Sequence, residues 1–374
     1  MSRLPRGAVA LLAVPLLLGL APGADPRQAA EWPVFRGNPL QTGVAASGLP
    51  KDLDVVWTFR AKDSIESAPA VVGGTVYVGS EDRFLYALDL ATGKLKWKFE
   101  GGPFKAAAAV KGGSVYVGDE DGQFWCVDAA AGKKRWVFKT QAEISSGANF
   151  SGDDVLFGSG DEHLYCLSKD GKERWRFKLP GGPVMASPTV ADGRTFVAGC
   201  DSTLHVIDVA RGKEVETVEV GGQVAASAGV IGNELYVGTM TNQVLGIDWK
   251  KGKVLWTFEP PNRKQPFYAS VAVTDKLVIA GGRDKRVWAL DRKSGKAVWN
   301  FPTNGRIEGS PVVVGNRVFA GSMDGNLYVL DLAKGTLLKK HELDGPIAGS
   351  PAVAGGRLVI GTTKGTVYCF GAKE

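Results

Sequence analysis

Histidine is nearly missing from this chain. His163, His205 and His341 are the only three in 374 residues, and they are scattered. That leaves little for the His-based metal and acid–base sites that proteins commonly build. Cysteine is scarce as well, at four residues, with no adjacent pair and no spacing that matches a zinc site. No long amphipathic helical stretch follows residue 30, which removes helical bundles and doubly wound folds. No aromatic-interleaved basic stripe or recognition helix occurs either, which argues against nucleic acid as a partner. One long apolar run exists, Ala8 to Leu20, and it is too short to span a bilayer. Arg3 and Arg6 precede it and Ala21, Gly23 and Ala24 follow, so residues 1–24 read as a secretory signal peptide, with an uncleaved anchor as the alternative. No cysteine follows the run, so a lipid anchor on cysteine is not available. The expected mature protein is exported and soluble, in the periplasm or cell envelope, and monomeric. Its contact with a membrane would come only through partners. Loss of Arg3 and Arg6 leaves 43 basic against 39 acidic residues, lowering the net charge from +6 to a mild +4.

What is abundant is glycine, 50 residues, and a repeat of about 40 residues, the period of propeller blades. A tryptophan ends each unit at Trp57, Trp97, Trp136, Trp175, Trp256 and Trp299, with Glu216 and Lys339 in two degenerate slots. An acid closes the third strand at Asp89, Asp128, Asp208, Asp248, Asp291 and Asp331; Ser168 and Gly371 are the exceptions. The following turn carries Gly93, Gly132, Gly171, Gly212, Gly252, Gly295 and Gly335. Several features hold one register through eight copies. The reading is all-β: an eight-bladed β-propeller of four antiparallel strands per blade over residues 51–374.

The two ends complete each other. Asp54 to Arg60 is a lone fourth strand, while Ile347 to Phe370 supplies three strands and stops. The N-terminal strand is therefore expected to finish the eighth blade and remove the open edge. Residues 25–50, with Trp32-Pro33-Val34-Phe35-Arg36-Gly37, lack strand alternation but are too aromatic for a free tail. They are expected to pack across one face, with a lid over a ligand as the alternative. Each blade tryptophan can bury about 200 Å² of aromatic surface against the next blade. The aspartates read as Asx turns rather than catalytic groups. Cys126, Cys166 and Cys369 share a slot that holds small, mostly apolar residues elsewhere, which makes them buried thiols rather than disulfides.

Charge is sorted by turn. Turns between second and third strands carry acids such as Glu81-Asp82 and Asp161-Glu162; those between third and fourth carry bases such as Lys133-Lys134 and Lys250-Lys251. In an up-and-down blade these sets lie on opposite faces, giving one acidic and one basic rim. Solvated turns account for most of this, and a docking surface is the alternative.

Ala87-Leu88-Asp89-Leu90-Ala91-Thr92-Gly93-Lys94-Leu95-Lys96-Trp97 resembles the tryptophan-docking repeat of the pyrroloquinoline quinone (PQQ) dehydrogenase propellers, and Ala289 to Trp299 is similar. The same repeat builds the BamB-like propellers of the outer-membrane assembly machine. That resemblance implies a non-enzymatic envelope scaffold whose face loops hold a protein partner and which needs no cofactor. Arg263 and Lys264, in the lengthened loop Glu259 to Pro266, are the candidate contact residues. The alternatives are a PQQ-dependent dehydrogenase using calcium, and a binder of a small ligand or glycan. Both would use the axial funnel, where the repeat places Glu66, Lys105, Ser145, Met185, Ala225, Tyr268, Glu308 and Ala348, with Arg306 nearby. Of these, Glu66, Lys105, Tyr268, Arg306 and Glu308 are the candidate ligand residues. The adjacent cysteines that many alcohol-oxidising members carry are missing.

Overall fold

The structure, a computed structural model, describes residues 31–261 and 264–373. The segment read as a signal peptide, residues 1–24, therefore lies outside the described residues. Eight four-stranded antiparallel sheets form a ring. Blade 1 is typical, with strands Ala70–Val72, Thr75–Gly79, Phe84–Asp89 and Leu95–Glu100. The first strand faces the axis and is short. The middle two are buried on both faces, and the fourth alternates exposed and half-buried at the outer edge. Blade 8 contains Ala352–Ala354, Arg357–Gly361 and Thr366–Gly371, and Asp54–Arg60 adds its fourth strand with Trp57 opposite Cys369. The closure expected from the two chain ends is present.

The tryptophans hold blade to blade through two contacts each. The indole covers the turn glycine of the next blade, leaving no room for a Cβ at Gly93, Gly132, Gly171, Gly212, Gly295 or Gly335. Its N–H then donates to a carbonyl of that same turn: Trp57 to Leu90 (2.9 Å), Trp97 to Ala129 (3.0 Å), Trp136 to Lys169 (2.9 Å), Trp175 to Val209 (2.8 Å), Trp256 to Arg292 (3.0 Å) and Trp299 to Leu332 (2.9 Å). Burying the ring without pairing the N–H would cost a hydrogen bond, so one geometry meets both needs. The two degenerate slots are repaired differently. Where Glu216 stands, Trp249 of the next blade packs back edge-on to Phe196 (centroids 5.1 Å apart). Where Lys339 stands, its ammonium donates to the Leu53 carbonyl (2.7 Å).

The leader crosses one face and encircles the axis. Its carbonyls accept from the first strand of successive blades: Trp32 from Val71, Pro33 from Val110, Pro39 from Val190, Leu40 from Val230, Thr42 from Val273 and Gly43 from Val313, at 2.7–2.9 Å. At blade 3 the Phe150 amide is taken by the Asn149 side chain, whose own amide reaches the Pro39 carbonyl (2.9 Å). The cause is elementary. A three-residue strand with a bare inner edge leaves a buried N–H that must find an acceptor. Arg36 sits at the centre of this wreath, fully buried and with φ +63°. Its guanidinium donates to the carbonyls of Val271 (2.9 Å) and Ser310 (3.1 Å). Gly43, at φ +64°, is obligatory beside it, because a Cβ there would lie 1.9 Å from the guanidinium. Burial pulls the Arg36 pKa down to about 9.

The turn aspartates cap their own turns. Asp89 accepts from the Thr92 hydroxyl (2.9 Å) and amide (3.0 Å), and Asp291 does the same with Ser294. These hydroxyl bonds hold both carboxyls below their ordinary range, and Arg135 does so for Asp128. A carboxyl depressed in the folded state stabilises above its unfolded pKa, and that stability goes as pH falls through the folded value. His341 acts in the same sense: burial lowers its pKa, so folding is weakened once the pH drops below that of a free imidazole, about 6.5. The melting temperature is therefore expected to be flat between about pH 7 and pH 8, decline gently to about pH 5 and fall faster below about pH 4. Asp89→Asn should lower the plateau and flatten the acid limb in a pH series of calorimetric scans; an unaltered acid limb would reject the role.

Candidate functional site

The starts of the eight innermost strands converge on the axis at the face opposite the leader. Glu66, Lys105, Ser145, Met185, Ala225, Tyr268, Glu308 and Ala348 line one axial cavity of about 160 Å³, whose floor includes Phe35 from the leader. The ring inferred from repeat spacing is thus a physical ring. Arg306 stands outside that lining, with its Nε 3.5 Å from Glu308.

Two of the charged members, Lys105 and Glu308, are engaged by charges just outside the ring. Lys105 lies 2.8 Å from Glu120 and 3.6 Å from Glu81. Burial first, then the neighbouring Glu66, pushes the Glu81 carboxyl up, while Lys105 opposes the shift. The Glu120 hydrogen bond holds Lys105 firmly charged. Across the mouth, Glu308 lies 2.9 Å from the Arg283 Nε, and the Arg283 guanidinium stacks on Tyr268 at 3.8 Å from the ring centroid. The arc formed by Ser145, Met185 and Ala225 carries no charge. Met185, at 51 % exposure, stands out into solvent.

One layer deeper lies a feature that repeat reading passed over. Ser187, Ser227, Ser270, Ser310 and Ser350 occupy one slot in blades 4 to 8, and each hydroxyl accepts from the backbone N–H of the preceding blade's equivalent residue. The steps run Gly147 to Ser187 (2.9 Å), Ser187 to Ser227 (2.8 Å), Ser227 to Ser270 (3.0 Å), Ser270 to Ser310 (2.9 Å) and Ser310 to Ser350 (2.9 Å). Ala68, Ala107 and Gly147 interrupt the ladder in blades 1 to 3. Near-constant spacing of these serines was the signal available in the sequence. All five also line the cavity.

The acidic rim is partly consumed inside its own blades. Asp82, Asp161 and Asp324 accept from Tyr86, Tyr165 and Tyr328 at 2.7–2.8 Å. Burial, reinforced by the carboxylate, pushes the Tyr165 and Tyr328 phenols up to about 12. In blade 4 the aromatic is His205, held by Asp201 on Nε2 (2.7 Å) and Glu214 on Nδ1 (2.5 Å). Cys126, Cys166 and Cys369 are buried free thiols, and Cys200 is an exposed one. Arg263 lies outside the described residues. Lys264 is exposed, on a loop pinned by the Gln265 amide to Asn242 (3.1 Å). Among the described residues no helix is long and apolar enough to cross a membrane.

A family model described as "Outer membrane protein assembly factor BamB" matches residues 50–149, 126–215 and 201–374. No curated protein matches the chain in sequence. Among solved structures, BamB from Moraxella catarrhalis superposes with a TM-score of 0.74 at 20 % identity, covering 86 % of this chain and 98 % of that one. The quinohemoprotein alcohol dehydrogenase from Comamonas testosteroni gives 0.80 at 16 % identity, covering 93 % and 82 %. A europium-containing methanol dehydrogenase gives 0.75 at 14 %, covering 93 % and 98 %. At these identities the superpositions establish the fold alone.

Proposed function

The chain belongs to the family described as outer membrane protein assembly factor BamB, and from that membership we propose a non-enzymatic scaffold, exported to the cell envelope, that holds a protein partner against its funnel face. Fold does not decide this, since one propeller hosts many activities. The observation that carries the reading is the state of the funnel mouth. Two of its three charged lining side chains, Lys105 and Glu308, are held in ion pairs by Glu120 and Arg283, and beside them lies the uncharged arc around Met185. Such an arc, apolar at its centre and polar at its rim, suits a protein contact. Lys264 stands on the inter-blade loop of the same face.

The residues present do not fit PQQ with calcium. The cavity of about 160 Å³ is below the roughly 300–1,000 Å³ of clefts that enclose drug-sized ligands. Among the described residues no group of three His, Cys, Asp or Glu is placed to hold a metal ion. A second reading, a small polar ligand or glycan at the same mouth, draws on the five serines that line the cavity.

A photo-crosslinking residue placed at Met185, and separately at Lys133 on the opposite face, tests the proposal in envelope fractions of the source organism. A discrete protein adduct from position 185, missing from position 133, is the expected result. Dye-linked oxidation with a quinone spectrum after addition of PQQ and Ca²⁺ would overturn it. So would failure of position 185 to give any protein adduct.

A further inference from the structure

Exposed aliphatic side chains stand on the outer strands of several blades, Leu95 and Val215 among them, but in blades 5 to 7 they accompany an apolar groove on the face that carries the leader. Between blades 5, 6 and 7 lies a shallow groove of about 690 Å³ lined by Val44, Ile231, Val273, Leu277, Val313 and Leu332. On the fourth strands of the same three blades, Leu255, Val298, Leu337 and Leu338 are 45–52 % exposed. The slot before the docking tryptophan explains part of this. In blades 1 to 3 it holds Lys96, Arg135 and Arg174, each tied to a carboxylate of its own blade (Asp89 at 3.4 Å, Asp128 at 2.7 Å and Asp154 at 2.6 Å). From blade 4 onward the slot is apolar, with Val215, Leu255, Val298, Leu338 and Val56, and in blades 5 to 7 it accompanies the groove.

Basic residues surround this apolar sector. Lys253, Lys276, Lys296 and Lys334 are exposed, and none is among the ion-paired side chains of the described residues. Lys276 lines the groove itself beside one exposed carboxylate, Asp275, and Lys334 follows Ala333, which also lines it. Unpaired ammoniums around exposed aliphatic side chains form the composition that seats a protein on an anionic membrane. The charges meet the headgroups while the apolar groups enter the boundary beneath them.

We propose that blades 5 to 7 of the leader face dock on an anionic bilayer surface, with Val298, Leu337 and Leu338 entering the headgroup boundary and Lys253, Lys276, Lys296 and Lys334 meeting lipid phosphates. This is independent of the partner reading, which uses the opposite face. A flat charged surface is chosen over an acidic protein because the four ammoniums are spread over three blades at one face of the disc. They do not converge on a single pocket.

The test is co-sedimentation of the mature protein with vesicles of phosphatidylcholine, with and without phosphatidylglycerol, at low and high salt. Binding is expected only with phosphatidylglycerol and should weaken as salt rises. Lys253→Glu, Lys276→Glu, Lys296→Glu and Lys334→Glu together should lower the partition coefficient at least about a hundredfold, since each lysine near an anionic surface is worth about fivefold. The same charge change on blades 1 to 3, through Lys94→Glu, Lys133→Glu, Lys134→Glu and Lys172→Glu, should lower it less than about tenfold. Val298→Ser with Leu338→Ser should lower it severalfold with charge unchanged. All of these side chains are exposed, and circular dichroism checks that each variant is folded. Absence of binding, equal binding to pure phosphatidylcholine, equal loss in the two quadruple variants, or no effect of the serine pair would each overturn the proposal.

Discussion

Replacing residues 54–60 with a Gly-Ser linker of the same length is expected to lower the melting temperature by at least about 10 °C, or to leave the protein aggregated. The strand Asp54–Arg60 is the outer edge of blade 8 and, through its antiparallel pairing with Thr366–Gly371, ties the two ends of the ring together. Its removal exposes the edge of Thr366–Gly371, an open template for pairing with another chain. It also removes Trp57, which is 9 % exposed and covers Gly93 of blade 1 across the seam. The Trp57 N–H bond to the Leu90 carbonyl goes with it, as does the contact of Arg60 with Asp344 (2.7 Å). Truncating one buried tryptophan costs about 3–5 kcal/mol, and the linker forfeits the backbone pairing as well. The linker keeps the leader tethered, so the effect belongs to the strand. Calorimetry on the two proteins decides the matter. Coincident melting curves would mean that the ring is held without its seam.

How much of this was legible beforehand depended on whether a feature repeated. The tryptophan slot, the turn glycine and the Asx aspartate recur at fixed offsets, so eight sheets and the closing strand could be counted before any coordinates. The funnel ring followed from the same register, because equivalent positions on eight blades must share one radius. The leader was different. Its contacts are backbone carbonyls meeting the amides of Val71, Val110, Val190, Val230, Val273 and Val313, and a backbone acceptor leaves no mark on residue choice. Nothing in the residue pattern marks Arg36 as buried, yet it donates to two carbonyls and a wreath of chain covers it completely. Trp249 was hidden for another reason. It sits outside the docking register and fills the interface from the other side, where Glu216 had marked a gap. The serine ladder stood in the sequence at near-constant spacing. Seeing it required asking what each inner-strand amide would bond, a question that apolar patterning does not raise.

The Trp97–Gly132 contact should give a strongly non-additive double-mutant cycle. Trp97→Ala removes the ring between blades 1 and 2 and the N–H bond to Ala129, at a cost of about 3–5 kcal/mol. Gly132→Ala acts on the same contact from the opposite side. Its φ is +66°, a conformation that costs an L side chain about 1–2 kcal/mol. Its new Cβ would also lie 2.6 Å from the indole, so the ring must leave its seat. Each single variant therefore spends most of the same docking energy. In the double variant the ring is gone, the clash vanishes and only the backbone strain is added. The double is expected to fall short of the summed singles by about 2–3 kcal/mol, the upper range of coupling between residues in contact. Denaturant midpoints for the four proteins measure it. Additivity within about 0.5 kcal/mol would place the indole away from the glycine and remove the blade-to-blade lock on which the ring's stability rests.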